Sequence, residues 1–238
     1  MNDEIRVLSA NCQGLRDFKK RYDVLEYLSK SDANVFCLQD THWLSKDIHL
    51  IKKSWDGECL IHGVNTNSRG VAILFKKNFE YKILSIFNDE LGNLISVDLK
   101  LSSIYVKLIN IYAPNNDSPN FFKPIAEIIN SSEQPYTILC GDFNVPLNIE
   151  IDTYNYKKVN NPKARKEIRE MMSNLNLSDA FRIFHPTTKK YTWHRKNPFQ
   201  KARLDYFLVS SALLDLVGNC TIQPGYRSFN SPDNVISL

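Results

Sequence analysis

Residues 136–146 read YTILCGDFNVP, from Tyr136 to Pro146. Thr137, Ile138, Leu139 and Cys140 form an intensely apolar run with strand character. The run then turns polar at Asp142 and Asn144. Residues at i and i+2 of an extended segment point the same way, so these two side chains share a face. Gly141 lets the backbone turn or approach a neighbour closely. A carboxylate at the end of a buried strand is costly unless it is paired or holds a metal. The segment therefore predicts a buried strand that delivers polar chemistry at its end.

The same pattern recurs elsewhere. IRVLSAN is a strand ending on Asn11, ANVFCLQD a strand ending on Asp40, and YVKLINIYAP a strand carrying Tyr112. ARLDYFLVS carries Asp205. Taken singly, each has an ordinary reading: Asn11 and Asp40 as turn caps, Tyr112 as a core phenol, Asp205 as an ion pair with Arg203. Together they are oxygen donors without cysteine or clustered histidine, which suits a hard cation such as Mg²⁺.

RGVAILF, EYKILSIF and LISVDLKL are further strands. DFKKRYDVLEYLSK predicts a helix with Phe18, Tyr22, Leu25 and Leu28 at helical spacing. FFKPIAEIINSS is a short helix with Pro124 near its start. KARKEIREMMSNLNL is a helix with Ala164, Ile168, Met171, Met172 and Leu175 on one face. KKYTWHR is a late strand, SALLDLV a short helix, and VISL a closing strand. Strands outnumber helices and several pair as antiparallel neighbours. The expected fold is α/β: one domain over residues 1–238, two mostly antiparallel sheets face to face with helices outside.

The chain is 43% hydrophobic and 24% charged, the mix of a globular protein. No signal peptide or membrane span is expected from its apolar runs. The five cysteines are scattered, without a CxxC pair, so neither a zinc site nor a disulfide framework is implied, and a reducing compartment fits. Net charge is +4, but residues 157–169 and 189–203 hold twelve of the thirty Lys and Arg in about an eighth of the chain. Tyr191, Trp193 and Phe199 are interleaved in the second stretch. Such clustering favours a polyanion, and aromatic faces among cations suit nucleobases. Trp193 reads equally well as a core residue.

In order, LSANCQGL, CLQDTHW, SRGVAILF, NIYAPN, GDFN, RLDYFLVS and GYRS resemble the exonuclease–endonuclease–phosphatase superfamily. The chain is most similar to the apurinic-type endonuclease domain of LINE-type (non-LTR) retrotransposons, and DTYNYKKVNNPKARK, FHPTTKKYTWHRKNP and KARLDYFL share that similarity. The resemblance implies a four-layered α/β sandwich and a Mg²⁺-dependent endonuclease, with Mn²⁺ as the substitute. Such an enzyme nicks one strand of double-stranded DNA and exposes a 3′-hydroxyl that primes reverse transcription. It further implies a monomer, a reverse transcriptase domain downstream, no membrane, and an intracellular, nuclear setting.

Residue by residue, the resemblance implies that Asn11 orders the metal ligand and site water. Asp40 binds the metal, standing where the wider family usually has Glu in QETH. Tyr112 supports the scissile phosphate, Asp142 orients or deprotonates the attacking water, and Asn144 holds the phosphate. Asp205 matches the carboxylate that fixes a histidine. That histidine belongs to an SDH motif, often within GYRSDHS, but the tail here reads GYRSFNSPDNVISL from Gly225 to Leu238. Without a gap, Phe229 and Asn230 take the Asp–His places. With a short insertion after Ser228, Asp233 and Asn234 take them, and Asp233 becomes a metal ligand beside Asp40 and Asn11. Either alignment puts asparagine where histidine belongs, and asparagine carries no positive charge. Impaired nicking is therefore expected, and a catalytically silent DNA-binding module is the alternative. A small-molecule phosphatase needs no extended cationic track. The DNA-facing residues are expected to be Lys190, Tyr191, Thr192, Trp193, Arg195 and Lys196, with Arg165 from the first basic stretch.

Overall fold

A computed structural model describes residues 5–67, 69–101, 103–156 and 160–224, and the backbone of 234–237. In chain order its strands begin with β1 (Val7–Asn11), β2 (Val35–Gln39), β3 (Cys59–His62), β4 (Val71–Phe75) and β5 (Lys82–Asn88). Next come β6 (Leu94–Leu101), β7 (Ile104–Tyr112), β8 (Tyr136–Asp142), β9 (Thr153–Tyr154) and β10 (Leu177–Asp179). The last are β11 (Trp193–Arg195), β12 (Gln200–Ala202), β13 (Asp205–Ser210), β14 (Thr221–Pro224) and β15 (Asn234–Ser237). The helices are α1 (Phe18–Lys30), α2 (Ile48–Ile51), α3 (Lys123–Asn130), α4 (Ile149–Asp152), α5 (Pro162–Asn174), α6 (Ala180–Phe184) and α7 (Ser211–Leu214).

Two six-stranded sheets carry the fold. One has the order β14-β15-β1-β2-β4-β3 and the other β10-β13-β8-β7-β6-β5. Only β1–β2 and β7–β8 are parallel; the other pairings are antiparallel. Each parallel pair is linked through a helix, α1 or α3, as a crossover requires. Val35, Cys37 and Ile73 of the first sheet meet Val97, Leu108, Cys140 and Phe207 of the second in the central core. Leu25 and Leu28 of α1 cover the outer face of the first sheet at Leu8, Phe36 and Leu74. Ile125 of α3 with Ala164 and Ile168 of α5 cover the second at Ile109, Leu139 and Phe143. The four expected layers are present. Cys12, Cys37, Cys59, Cys140 and Cys220 are all buried and free, and no helix among the described residues is long and apolar enough to cross a membrane.

Three local readings need correction. On α1 the buried stripe is Arg21, Val24, Leu25 and Leu28, whereas Phe18 and Tyr22 are 67% and 49% exposed. Arg21 takes the place on the apolar face because its Nη1 donates to the carbonyls of Leu15 and Arg16 while its stem packs. Arg203 is no partner of Asp205 in the hydrogen-bonded pairs it forms: its guanidinium is fully buried on Asp152 and Asp179. A third, small sheet, β11-β12-β9, joins the KKYTWHR segment to residues 153–154. Its strands of two or three residues are too short to show a period.

Candidate active site

Strand register assembles the site. On the second sheet Tyr112 pairs with Asp142, and Asp142 pairs with Asp205, so three neighbouring strands end on one polar row. On the first sheet Asn11 pairs with Gln39, which puts Asp40 one residue beyond. The sheets are joined just below by a buried polar link: Gln39 Nε2 donates to Ser9 Oγ and to Asn110 Oδ1, at 2.9 and 2.7 Å. Gly141 explains how β8 reaches its place. Its φ is +129°, and a Cβ there would lie 2.0 Å from the carbonyl oxygen of Ile111, so only glycine lets these parallel strands run so close.

Asp142 is nearly buried and held by both oxygens. Asn11 Nδ2 donates to its Oδ2 at 2.8 Å, and the backbone N–H of Asn144 donates to its Oδ1 at 2.8 Å. The other end of the Asn11 amide accepts from Gln13 N–H at 3.0 Å, so this residue closes a local turn and also reaches across the sheets. Asn144 has a left-handed backbone, φ 52°, and its Nδ2 donates to the carbonyl of Ala113 at 2.7 Å. Asp40 is also left-handed, φ 51°. Its Oδ1 accepts from Arg69 N–H at 3.0 Å and lies 3.1 Å from His42 Nε2.

Asn11, Asp40, Tyr112, Asp142, Asn144 and Asp205 line one cleft of about 350 Å³, which Gln13, Asn115, Trp193 and Leu204 complete. The cleft is acidic. Burial, and then the charges of Asp40, Asp142 and Asp205, push the Tyr112 phenol up, so it stays protonated. Lys20 stands nearby: burial pulls its ammonium down, opposed by Cys12 and then by Asp40 and Asp17.

The expected DNA-facing residues separate. Trp193 lines the cleft and meets Tyr156 edge-on at 5.7 Å. Arg195 and Lys196 are exposed, and Tyr191 lies half-buried under Lys201 Nζ at 5.7 Å. Lys190 is exposed, with its Nζ on the carbonyl of Ile222 at 3.2 Å. Thr192 departs from expectation: it is fully buried, and its hydroxyl accepts from the N–H groups of Leu204 and Asp205. It fixes the start of β13 instead of facing outward. Arg165 is half-buried, its Nε and Nη2 donating to the carbonyls of Pro146 and Asn160 at 2.7 and 2.5 Å. It supports the loop behind Asn144.

Asn230 and Asp233 lie outside the described residues. Asn234 begins β15, whose register with β1 pairs Leu8 with Ser237 and Ser9 with Ile236. These pairs stop two residues short of Asn11 and Asn234. Sequence reasoning missed Tyr156, whose phenol is pushed up by burial and then by Asp142. It sits within DTYNYKKVNN, a stretch whose likeness to the retrotransposon enzymes was visible. Gln13 and His42 follow Asn11 and Asp40 in left-handed turns, φ 48° and 58°, which no strand period in the sequence displays.

A profile described as the Endonuclease/Exonuclease/phosphatase family matches residues 8–227. The "Transposon TX1 uncharacterized 149 kDa protein" of Xenopus laevis is 26% identical over 230 residues, which cover 92% of this chain but 17% of that protein. The exodeoxyribonuclease of Bacillus subtilis (strain 168) is 26% identical over 244 residues, covering 92% of this chain and 93% of the relative. The crystal structure of AP endonuclease LMAP from Leishmania major has the same fold, with a TM-score of 0.81 at 20% identity, covering 98% of this chain and 86% of that one.

Proposed function

This chain belongs to the endonuclease/exonuclease/phosphatase family, and from that premise we propose that it is a DNA endonuclease. It hydrolyses one phosphodiester of a duplex and leaves a 3′-hydroxyl. The observation that carries this reading is the Tyr112–Asp142–Asp205 row with Asn11 reaching across to Asp142.

Among the described residues no three His, Cys, Asp or Glu gather closely enough to enclose an ion. The cleft nevertheless suits Mg²⁺, or Mn²⁺ in its place. Among the described residues its lining has three carboxylates and no Lys or Arg, and Mg²⁺ is typically held by one or two carboxylates plus water and substrate phosphate. Asp40 would hold it, with Asp233 as the second candidate. When bound, the ion supplies Lewis-acid stabilisation of charge on the phosphoryl oxygens. Asn11, with both ends of its amide engaged by Gln13 and Asp142, serves to aim Asp142.

Asp142 orients a water for in-line attack on phosphorus and takes its proton. The P–O3′ bond breaks, and the departing O3′ takes up a proton from solvent. Tyr112 donates to a phosphate oxygen with its protonated phenol, and Asn144 fixes the Asp142 loop beside that phosphate. Likeness to a transposon protein supports a role in making primer ends for a reverse transcriptase elsewhere in a longer protein.

We take the antiparallel pairing of β15 with β1, Ser9 with Ile236, as support for the alignment in which VISL is the closing strand and Asn234 stands in the histidine's place. Asparagine there favours a second reading, a DNA-binding module with little residual cleavage. The test is nicking of supercoiled plasmid with Mg²⁺ or with EDTA, followed by extension of the nick with DNA polymerase. Slow, Mg²⁺-dependent nicks that extend directly, and that vanish in Asp142→Asn, support the enzyme. DNA binding without any nick, in the wild type and in the histidine-restored chain, leaves the second reading.

A further inference from the structure

We propose that Phe18 and Tyr22 form a DNA contact on the flank of the cleft, packing their rings on the sugar and base edges of the duplex beside the nicked phosphate. The inference rests on the endonuclease reading and adds a surface to it. Three observations point there.

The first is exposure. Two aromatic rings at i and i+4 are stacked on each other, with centroids 6.4 Å apart, yet are 67% and 49% exposed on a helix whose core stripe is formed without them. A stacked pair of rings left in water forms a small apolar surface, which the next two observations direct to DNA. The second is rigid connection to the site. Asp17 caps α1 through Lys20 N–H, and Lys20 Nζ donates to the carbonyls of Cys12 and Gln13 at 2.8 and 2.9 Å. The helix start is thus tied to the loop that carries Asn11 and Gln13 into the cleft.

The third is charge. The segment reads RDFKKRY from Arg16 to Tyr22; Lys20 and Arg21 are turned to backbone carbonyls, and Lys19 faces outward between the two rings. Lys19 is exposed, Arg16 is exposed but lies 3.6 Å from Asp47 Oδ2, and the Arg21 guanidinium lies 5.6 Å from the Phe18 ring centre. The cleft itself is lined by carboxylates. A polyanion must then be held from the flanks, where aromatic faces and cations together match a nucleic acid better than an apolar protein surface.

The test is binding of a short fluorescein-labelled duplex, followed by anisotropy across a salt series, with wild type, Phe18→Ala/Tyr22→Ala, Lys19→Ala and Arg195→Ala/Lys196→Ala. Loss of both rings is expected to weaken binding about tenfold at every salt concentration, because apolar packing on sugar and base edges releases no counterion. Lys19→Ala is expected to lower the salt slope by about one. An unchanged affinity in Phe18→Ala/Tyr22→Ala, with Arg195→Ala/Lys196→Ala weakened, overturns this surface and leaves the endonuclease reading intact. A wild-type chain without salt-dependent binding overturns both. Independently of stability, a photo-reactive phenylalanine analogue at position 18 should crosslink the duplex on irradiation, and one at Phe87, exposed on the edge strand β5, should not. Crosslinking at neither site, or equally at both, also overturns the proposal.

Discussion

Replacing Arg203 by methionine should cost more stability than any surface change on this chain. The side chain is wholly buried and forks onto two carboxylates. Nε and Nη2 reach Asp152 at 2.8 and 3.1 Å, and Nη1 and Nη2 reach Asp179 at 3.0 and 2.5 Å. Burial pulls the guanidinium pKa down, but Asp179, Tyr206 and Asp152 outweigh it, and the net shift is up. Methionine fills similar space but leaves Asp152, itself fully buried, with Arg182 as its remaining cationic partner. Removing one member of a buried ion cluster costs about 3–5 kcal/mol, a large share of the roughly 5–15 kcal/mol that a domain holds. Arg203→Lys should fall between, since a point charge cannot fork to both acids. Urea unfolding followed by tryptophan fluorescence measures it. A loss below about 1 kcal/mol, the value of an exposed pair, would refute the reasoning.

Asn110→Leu strips donors from the buried carbonyls of Leu38 and Ala72 and a partner from Gln39, and should cost about 1–3 kcal/mol in the same assay. Tyr112 has its pKa raised above 10.0, first by burial and then by the three aspartates. The folded chain therefore holds this proton more tightly than the unfolded one. Its share of stability is whole below pH 10.0 and is lost as pH rises through the raised value, so Tyr112→Phe should flatten the alkaline fall of Tm. Mg²⁺ should raise Tm by mass action, and Asp40→Ala should lose most of that rise; equal rises in both proteins would place the ion elsewhere.

The layers of the fold were legible because its central strands are long apolar runs, and the site because those runs end on residues that a core would not choose. GDFN is the clearest case. What the sequence does not display is register. Nothing local says that Tyr112, Asp142 and Asp205 stand side by side, since that depends on a parallel pairing across the α3 crossover and an antiparallel return of β13. Amphipathic side chains also mislead a reading by residue type. Arg21 and Arg203 are buried because backbone carbonyls or acids elsewhere in the chain receive them, while Phe18 and Tyr22 lie outside the buried stripe of α1. Thr192 looked like part of a DNA-facing run, yet its hydroxyl is used inside by Leu204 and Asp205. The two tail alignments were equivalent in sequence, because which asparagine enters the site depends on how the tail pairs with the rest of the chain.

The most direct test of the account is Mg²⁺-dependent plasmid nicking by three proteins: wild type, Pro232→Ser/Asn234→His, and the same double variant with Asp142→Asn. Phe229→Asp/Asn230→His serves as the competing restoration. If Asn234 occupies the lost histidine's place in a working phosphodiesterase site, wild-type nicking is weak. Pro232→Ser/Asn234→His then raises it roughly 10²–10³-fold, the usual worth of one group that stabilises transition-state charge, and Asp142→Asn abolishes the gain. Nicking that survives Asp142→Asn undiminished would contradict the account, because the reaction would then not run through the carboxylate on which the two sheets converge.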